Sequence, residues 1–241
     1  MQRTCISVEQ REGRHRAVLT NGPLRAQQVH SRPGWCRVGL LASTALLLGG
    51  DLVELYVSVG PQARLDLFEV AGTVAYDGRG RTAGWRVQVE LAEGAVLRMS
   101  GEPFVVTDGA DVVRSMSLDL SDTARALLRD TLVLGRTGEQ GGRLHSHTTV
   151  RAGGLPVCVE DHDLEPASRN LPGLLGGRRV LDSITSFGDP TLLPSGTGAT
   201  TFRLHGEAGA LCRYVGYELA ASPLHQEWDR LSSALAERVL L

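Results

Sequence analysis

Apolar and polar residues alternate along many short segments of this chain, and that period of two constrains its fold more than any other feature. Residues 53–59 carry valine or leucine at every odd position, and residues 85–91 and 116–120 alternate in the same way. A strand with one face in a core and the other in solvent has this pattern. Glycine and proline interrupt the chain roughly every ten residues, a spacing typical of short strands joined by turns. The sequence therefore predicts an all-β protein built from many short strands.

One segment has a helical period instead. Ser222 and Pro223 supply a capping hydroxyl and a proline for the first helical position, which predicts an amphipathic C-terminal helix over residues 222–240. Residues 121–129 are a second helix candidate, but residues 131–134 after them look like a strand, so that segment is left open. The apolar stripe of the C-terminal helix consists of Leu224, Trp228, Leu231, Leu235 and Val239.

No polar linker divides the chain, so residues 1–241 are predicted to form a single domain, with residues 1–16 as a candidate disordered N-terminus. The longest apolar run, residues 38–48, has 11 residues, whereas a membrane-spanning helix needs about 20. The N-terminus lacks the apolar centre of a signal peptide. The four cysteines are scattered without a Cys-x-x-Cys motif, as in proteins of a reducing compartment. These features predict a cytoplasmic protein with no membrane partner.

All 25 basic residues are arginine, and the absence of lysine excludes several kinds of chemistry. A phosphate-binding P-loop, a protein kinase and a pyridoxal enzyme each require a lysine. Any nucleotide hydrolysis in the pathway of this protein would therefore belong to a partner. The net charge of −2 also gives no reason to expect a nucleic-acid partner. The Gly-x-Ser-x-Gly and His-Glu-x-x-His hydrolase motifs are absent as well.

Two histidines are a candidate metal-ligating pair. His145 and His147 lie two residues apart on a predicted strand, so both side chains face the same way. Such a pair could chelate nickel or zinc if further ligands lay nearby. The alternative is that the two histidines form the solvent face of a strand whose other face is buried, and this interpretation is favoured.

Three carboxylates stand at the ends of apolar runs. Asp51 follows residues 46–50, Asp130 precedes residues 131–134, and Glu160 follows residues 155–159. A carboxylate in such a place either hydrogen-bonds the backbone of a turn or lines a wet interior cavity, because an unpaired buried charge costs several kcal/mol. Periodicity alone favours the turn. Residue patterns by themselves lead no further than a β-rich domain without an enzyme signature.

Short motifs in a fixed order resemble the UreD family of urease accessory proteins, also called UreH, in its short actinobacterial form. The resemblance covers residues 17–218 and is strongest at the Leu-Gly-Arg-Thr-Gly-Glu sequence of residues 134–139. The other motifs, in chain order, are Gly-Pro-Leu-Arg at 22–25, Gly-Asp at 50–51, Glu-Pro at 102–103, Asp-Gly-Ala at 108–110, Leu-Pro at 155–156, Val-Glu at 159–160 and Leu-Leu-Gly at 174–176.

The resemblance implies a two-layered, helicoidal stack of strands and a non-catalytic role in urease maturation. Proteins of this family bridge urease apoprotein to UreF and, through UreF, to the GTPase UreG, and help to deliver nickel in transit. The acids of the nickel passage proposed for the family match Asp51, Asp130 and Glu160, and Thr73 replaces a serine. For Asp130 and Glu160 the resemblance therefore favours the cavity over the turn.

A rival hypothesis is a β-solenoid enzyme that acts on carbohydrate. Such an enzyme needs paired carboxylates in an exposed cleft lined with aromatic residues. Aromatic residues make up only 5% of this chain, and the candidate acids lie in apolar contexts. The carbohydrate enzyme is therefore ranked second.

Overall fold

The computed structural model describes residues 3–29, 34–189, 191–192 and 198–238. Its elements in chain order are β1 (Thr4–Arg11), β2 (Arg14–Thr20), β3 (Leu24–Gln28), β4 (Cys36–Ala42), β5 (Leu52–Val59), β6 (Arg64–Glu69), β7 (Thr73–Ala75), β8 (Ala83–Leu91), β9 (Val96–Ser100), β10 (Phe104–Val106), β11 (Asp111–Leu120), β12 (Arg125–Leu134), β13 (Arg143–Ala152), β14 (Leu155–Leu164), β15 (Val180–Phe187), β16 (Thr200–Arg203), β17 (Gly209–Gly216) and α1 (Leu224–Arg238).

The strands form two sheets, and the chain crosses between them as it winds. The seven-stranded sheet A has the order β14-β13-β11-β8-β5-β1-β2. The ten-stranded sheet B follows the path β16-β17-β15-β12-β9-β6-β4-β3, with β10 joined to β12 and β7. From β4 to β13 each new strand pairs in parallel with the strand one coil earlier in the same sheet. The predicted all-β, two-layered helicoidal stack is therefore confirmed.

Antiparallel strands close both ends of the stack. Hairpins β1–β2 and β3–β4 lie at one end, and hairpin β13–β14 and the strands β15, β17 and β16 lie at the other. The first hairpin corrects the expectation of a disordered N-terminus, because residues 4–8 pair with β5 and residues 5–11 pair with β2. Ile6 and Val8 are fully buried between the sheets. Burial of alternate residues stabilises this strand although its composition is polar.

The main core lies between the inner faces of the two sheets. The alternating residues of β5 and β8 contribute Val57 and Val89 to it, and β6 and β9 contribute Leu65 and Leu97 from the opposite side. Each of these side chains is almost fully buried, which accounts for the period of two in the sequence. Residues 121–124 form a turn and β12 begins at Arg125, so the open segment 121–129 contains no helix.

Helix α1 covers the outer face of sheet B. Leu224, Leu231 and Leu235 are buried in a second cluster that includes Leu127 and Ile184 of the sheet. The predicted helix is confirmed over Leu224–Arg238, and residues 239–240 of its expected range lie outside the described residues. Sheet B is therefore packed on both faces. Among the described residues, no helix has the length and apolarity that crossing a membrane requires.

Candidate functional site

An interior cavity of about 90 Å³ separates the two sheets near the end that contains β13 and β14. Both sheets contribute to its wall, and the lining combines apolar side chains with seven charged ones. A cavity of this size has room for several water molecules, since one needs at least ~10–15 Å³. The charged residues of the lining are Glu69, Glu102, Asp130 and Glu160, with Arg114, Arg129 and Arg213 opposite or beside them.

The first ion pair of the cavity joins Arg114 of sheet A to Asp130 of sheet B. The guanidinium donates two hydrogen bonds, of 2.7 and 2.6 Å, to the two carboxylate oxygens. Asp130 borders the cavity, and 46% of its side-chain surface is accessible. Burial alone would raise the pKa of Asp130, but the charge and hydrogen bonds of Arg114 hold it below its usual value. Asp130 therefore remains ionised inside the protein.

The second ion pair crosses the cavity with the opposite polarity. Arg213 of sheet B donates to both oxygens of Glu160 of sheet A, each at 2.9 Å. The Ser183 hydroxyl accepts a further bond from Arg213 at 2.9 Å and fixes the guanidinium in place. His162 Nε2 lies 3.8 Å from a Glu160 oxygen, and burial, followed by the charge of Arg213, lowers the pKa of that histidine. The two ion pairs thus have opposite polarity, with the arginine on sheet A in the first pair and on sheet B in the second.

Glu69 is a third acid of the cavity, and it is not among the candidates that the sequence pattern indicated. It ends β6, and its Oε2 accepts a 2.9 Å hydrogen bond from the backbone N–H of Glu102. Burial raises the pKa of Glu69 to about 7, although the Glu102 bond and the charge of Arg114 oppose the shift. Glu69 follows Leu67 and Phe68, so the signal that singled out Asp51, a carboxylate at the end of an apolar run, could have found it.

A family model described as UreD urease accessory protein matches residues 3–240. The chain belongs to the UreD family of urease accessory proteins. It is 44% identical over 201 residues to urease accessory protein UreD 1 of Streptomyces griseus subsp. griseus, a match that covers 80% of this chain and 76% of that one. Urease accessory protein UreD 3 of the same organism is 32% identical over 194 residues, 76% of each chain. Urease accessory protein UreD of Streptomyces avermitilis is 33% identical over 167 residues, 68% of this chain and 66% of that one. Membership in this family places the protein in urease maturation.

Only two of the four residues expected to line a passage in UreD proteins lie at the cavity. Asp130 and Glu160 line it, whereas Asp51 and Thr73 do not. Asp51 Oδ2 accepts the backbone N–H of Leu48 at 3.0 Å and therefore closes a turn. Thr73 is buried in β7, where its N–H donates to the Pro103 carbonyl at 3.1 Å. The turn interpretation thus fits Asp51, and the cavity interpretation fits the other two acids.

The two histidines of this UreD protein lie outside the cavity. His145 Nε2 and His147 Nδ1 approach the two oxygens of Asp161 at 2.7 and 3.2 Å on the outer side of hairpin β13–β14. The hydrogen bond from His145 lowers the pKa of Asp161. Burial acts in the opposite direction, but the hydrogen bond from His147 adds to the lowering. In the part of the chain that the structure describes, no three His, Cys, Asp or Glu side chains group closely enough to hold a metal ion. His145 and His147 thus form solvent-facing contacts between β13 and β14 through Asp161.

Proposed function

We propose that this protein is a non-catalytic maturation factor that bridges urease apoprotein to UreF and, through UreF, to the GTPase UreG. Membership in the UreD family supports the role in urease maturation. The absence of lysine supports a division of labour in which a partner hydrolyses the nucleotide. The bridging role and the identity of the partners follow from the resemblance of the sequence to the family.

We further propose that nickel passes through the cavity between the sheets. The observation that carries this proposal is an interior space with room for water and with Asp130 and Glu160 on its wall. Carboxylate oxygens and waters can accept a hydrated dication, and charged rings of this kind let cations through if they do not bind them too tightly. Arg114 and Arg213 neutralise the two acids, and their charge weakens the hold on a cation in transit.

The dimensions of the cavity argue against a carbohydrate enzyme. Its volume of about 90 Å³ lies well below the roughly 300–1,000 Å³ of typical ligand pockets. Both acids of the proposed passage are also engaged by arginines in bidentate pairs, so neither is available as a nucleophile or general acid for a glycosidic bond. We expect no cleavage of glycans by the purified protein.

Neutral variants of the two cavity acids test the nickel route. Asp130→Asn and Glu160→Gln keep the shape of each side chain but remove its charge, so a dication would meet a higher barrier in the interior. We expect about ten-fold slower urease activation, the effect of a barrier raised by ~1.4 kcal/mol. The measurement is nickel content and urease activity after co-expression with urease and its accessory proteins.

Asp51→Asn is the matched control, because Asp51 lies in a surface turn away from the cavity. It should activate urease at the parent rate. Co-purification of UreF and UreG with each variant should be unchanged. Normal activation by both cavity variants would contradict the route, whereas loss of co-purification would make the two acids structural.

A further inference from the structure

Three successive coils pass from sheet A to sheet B through turns of the same length. The turns are residues 60–63, 92–95 and 121–124, which lead into β6, β9 and β12. Each turn ends in a buried alanine whose N–H donates to the carbonyl three residues earlier, at 3.0 or 3.1 Å. Since β9 pairs with β6 on one side and with β12 on the other, the turns stack and their equivalent residues form rows.

Two of these rows have polar side chains in the outer coils and small or buried residues in the middle coil. The rows are Gln62, Gly94 and Thr123 in the turns, and Arg64, Val96 and Arg125 at the starts of the strands. Val96 lies opposite both arginines in the register, so these three side chains share one face of sheet B. Gly94 has no side chain, and Val96 is only 4% exposed. The middle coil therefore forms a recess between two arginines.

A pocket of about 200 Å³ occupies this recess, and the six residues of the two rows line it. None of these described residues carries a carboxylate, whereas both guanidinium groups, the Gln62 amide and the Thr123 hydroxyl can donate hydrogen bonds. The Thr123 hydroxyl accepts the Gly94 N–H at 2.8 Å, so its own proton remains available to donate. The pocket thus combines several donors with two positive charges.

The two positive charges of the pocket have no counterion. Within the described ranges, neither Arg64 nor Arg125 forms an ion pair. Asp66 follows Arg64 by two residues on the same face, but Arg98 and Arg37 already engage its carboxylate. Burial lowers the pKa of Arg64, as expected for a guanidinium that loses water without gaining an opposite charge. An anion in the pocket would supply that charge.

The attraction for anions is local to this pocket. The whole chain carries a net charge of −2, so the protein as a whole does not attract negative ligands. The volume of the pocket is also below the roughly 300–1,000 Å³ of pockets that enclose a drug-sized ligand. The space therefore suits a compact anion, or the anionic end of a larger molecule, better than an entire nucleotide.

We propose that the pocket between Arg64 and Arg125 binds a phosphate group, either as inorganic phosphate or as the end of a phosphomonoester. Two strand spacings of ~4.8 Å separate the arginines, so their guanidinium groups can approach one anion from opposite sides. Each guanidinium can donate two parallel hydrogen bonds to phosphate oxygens. A phosphomonoester carries a charge of about −1.5 to −2 near pH 7, which balances the two arginines better than a single carboxylate would. Thr123 and Gln62 can donate to the remaining oxygens.

Calorimetric titration of the full chain with inorganic phosphate tests this site. The titration is run at about pH 7 and ~0.15 M sodium chloride, where charges on the surface are screened beyond ~8 Å. Arg64→Gln and Arg125→Gln should each weaken phosphate binding about ten-fold, because each removes one charged donor pair. Arg25→Gln is the matched control, since it removes the same charge from an exposed position on β3. It should bind phosphate as tightly as the parent.

A substitution at Thr123 tests the pocket without removing either arginine. Thr123→Glu places a carboxylate beside the two guanidinium groups, where it would compete with phosphate, and it should abolish detectable binding. Thr123→Ser keeps the hydroxyl that accepts the Gly94 N–H and should bind phosphate like the parent. Thr123 is exposed, so the midpoint of urea-induced unfolding should change little in either variant, which shows that a loss of binding is not a loss of fold.

Titration with methyl phosphate distinguishes the two sources of the phosphate group. Binding at least as tight as that of inorganic phosphate supports the phosphomonoester, whereas weaker binding supports the free ion. Failure of the parent protein to bind either probe would overturn the site. Equal weakening by Arg25→Gln and the two pocket variants would overturn it as well, because the attraction would then depend on the overall charge and not on the pocket.

Discussion

Replacing Asp182 with alanine is expected to lower the free energy of unfolding by about 3–5 kcal/mol. The Asp182 side chain is fully buried under α1, and its carboxylate accepts two hydrogen bonds from Arg129, at 3.3 and 3.1 Å. It also accepts the Thr131 hydroxyl at 2.9 Å and the Ser222 hydroxyl at 2.6 Å. Removing the carboxylate would leave a guanidinium that is only 14% exposed without its counterion.

The expected loss can be measured from the midpoint of urea-induced unfolding. Asp119→Ala is a matched control, because Asp119 is 55% exposed and lies 3.9 Å from an exposed arginine. A surface pair of that kind contributes no more than ~1 kcal/mol. Ser222→Ala should fall between the two, at about 1 kcal/mol, because its hydroxyl also caps the backbone N–H of Leu224 at 3.2 Å. A cost for Asp182→Ala as small as that of the control would refute the buried network.

Glu69→Gln is expected to remove a loss of stability that the parent protein undergoes as the pH rises. Burial raises the pKa of Glu69 from 4.5 to about 7 in the folded protein. Between these values the folded state binds more protons than the unfolded state, so the stability falls as the pH increases. A shift of this size corresponds to ~3 kcal/mol by pH 8. Glutamine has the same shape, can still accept the Glu102 N–H, and does not ionise.

The measurement is the difference in unfolding free energy between variant and parent from pH 4.5 to pH 8. The difference should be small at the acid end and should grow in favour of the variant through the window bounded by 4.5 and about 7. Glu102→Gln, at the exposed neighbour, should show no such growth. If the unfolding free energies of Glu69→Gln and the parent change with pH in the same way, ionisation of Glu69 does not destabilise the folded protein.

The sequence predicted the elements whose side chains alternate in a regular way. Val53 to Val59 fall in β5, and Trp85 to Leu91 fall in β8, because burial between two sheets imposes a period of two. Helix α1 was equally clear, since Leu231 and Leu235 must face one side of a helix packed on a sheet. The alternation of side chains depends only on the local geometry of a strand, so it can be recognised in the sequence without knowing which strands pair.

What the sequence could not predict is the pairing of charges across the cavity. Arg114 and Asp130 are 16 residues apart, and Glu160 and Arg213 are 53 apart. The distance between such residues depends on how the coils stack, and no local pattern encodes it. The N-terminal hairpin was missed for a related reason. Strand β1 buries its alternate residues only because β5 and the opposite sheet lie beside it.

The position of the second ion pair within the stack has a consequence for how the chain folds. Parallel coils must be closed in order, because each strand needs the strand of the coil before it, and such long-range pairing is slow. Glu160 belongs to β14 and Arg213 to β17, and both strands follow the last parallel coil in the chain and pair with antiparallel partners. The Glu160–Arg213 pair should therefore be among the last contacts of the molecule to form. During folding Glu160 would stay hydrated until Arg213 arrives, which spares the chain an intermediate with an uncompensated buried charge.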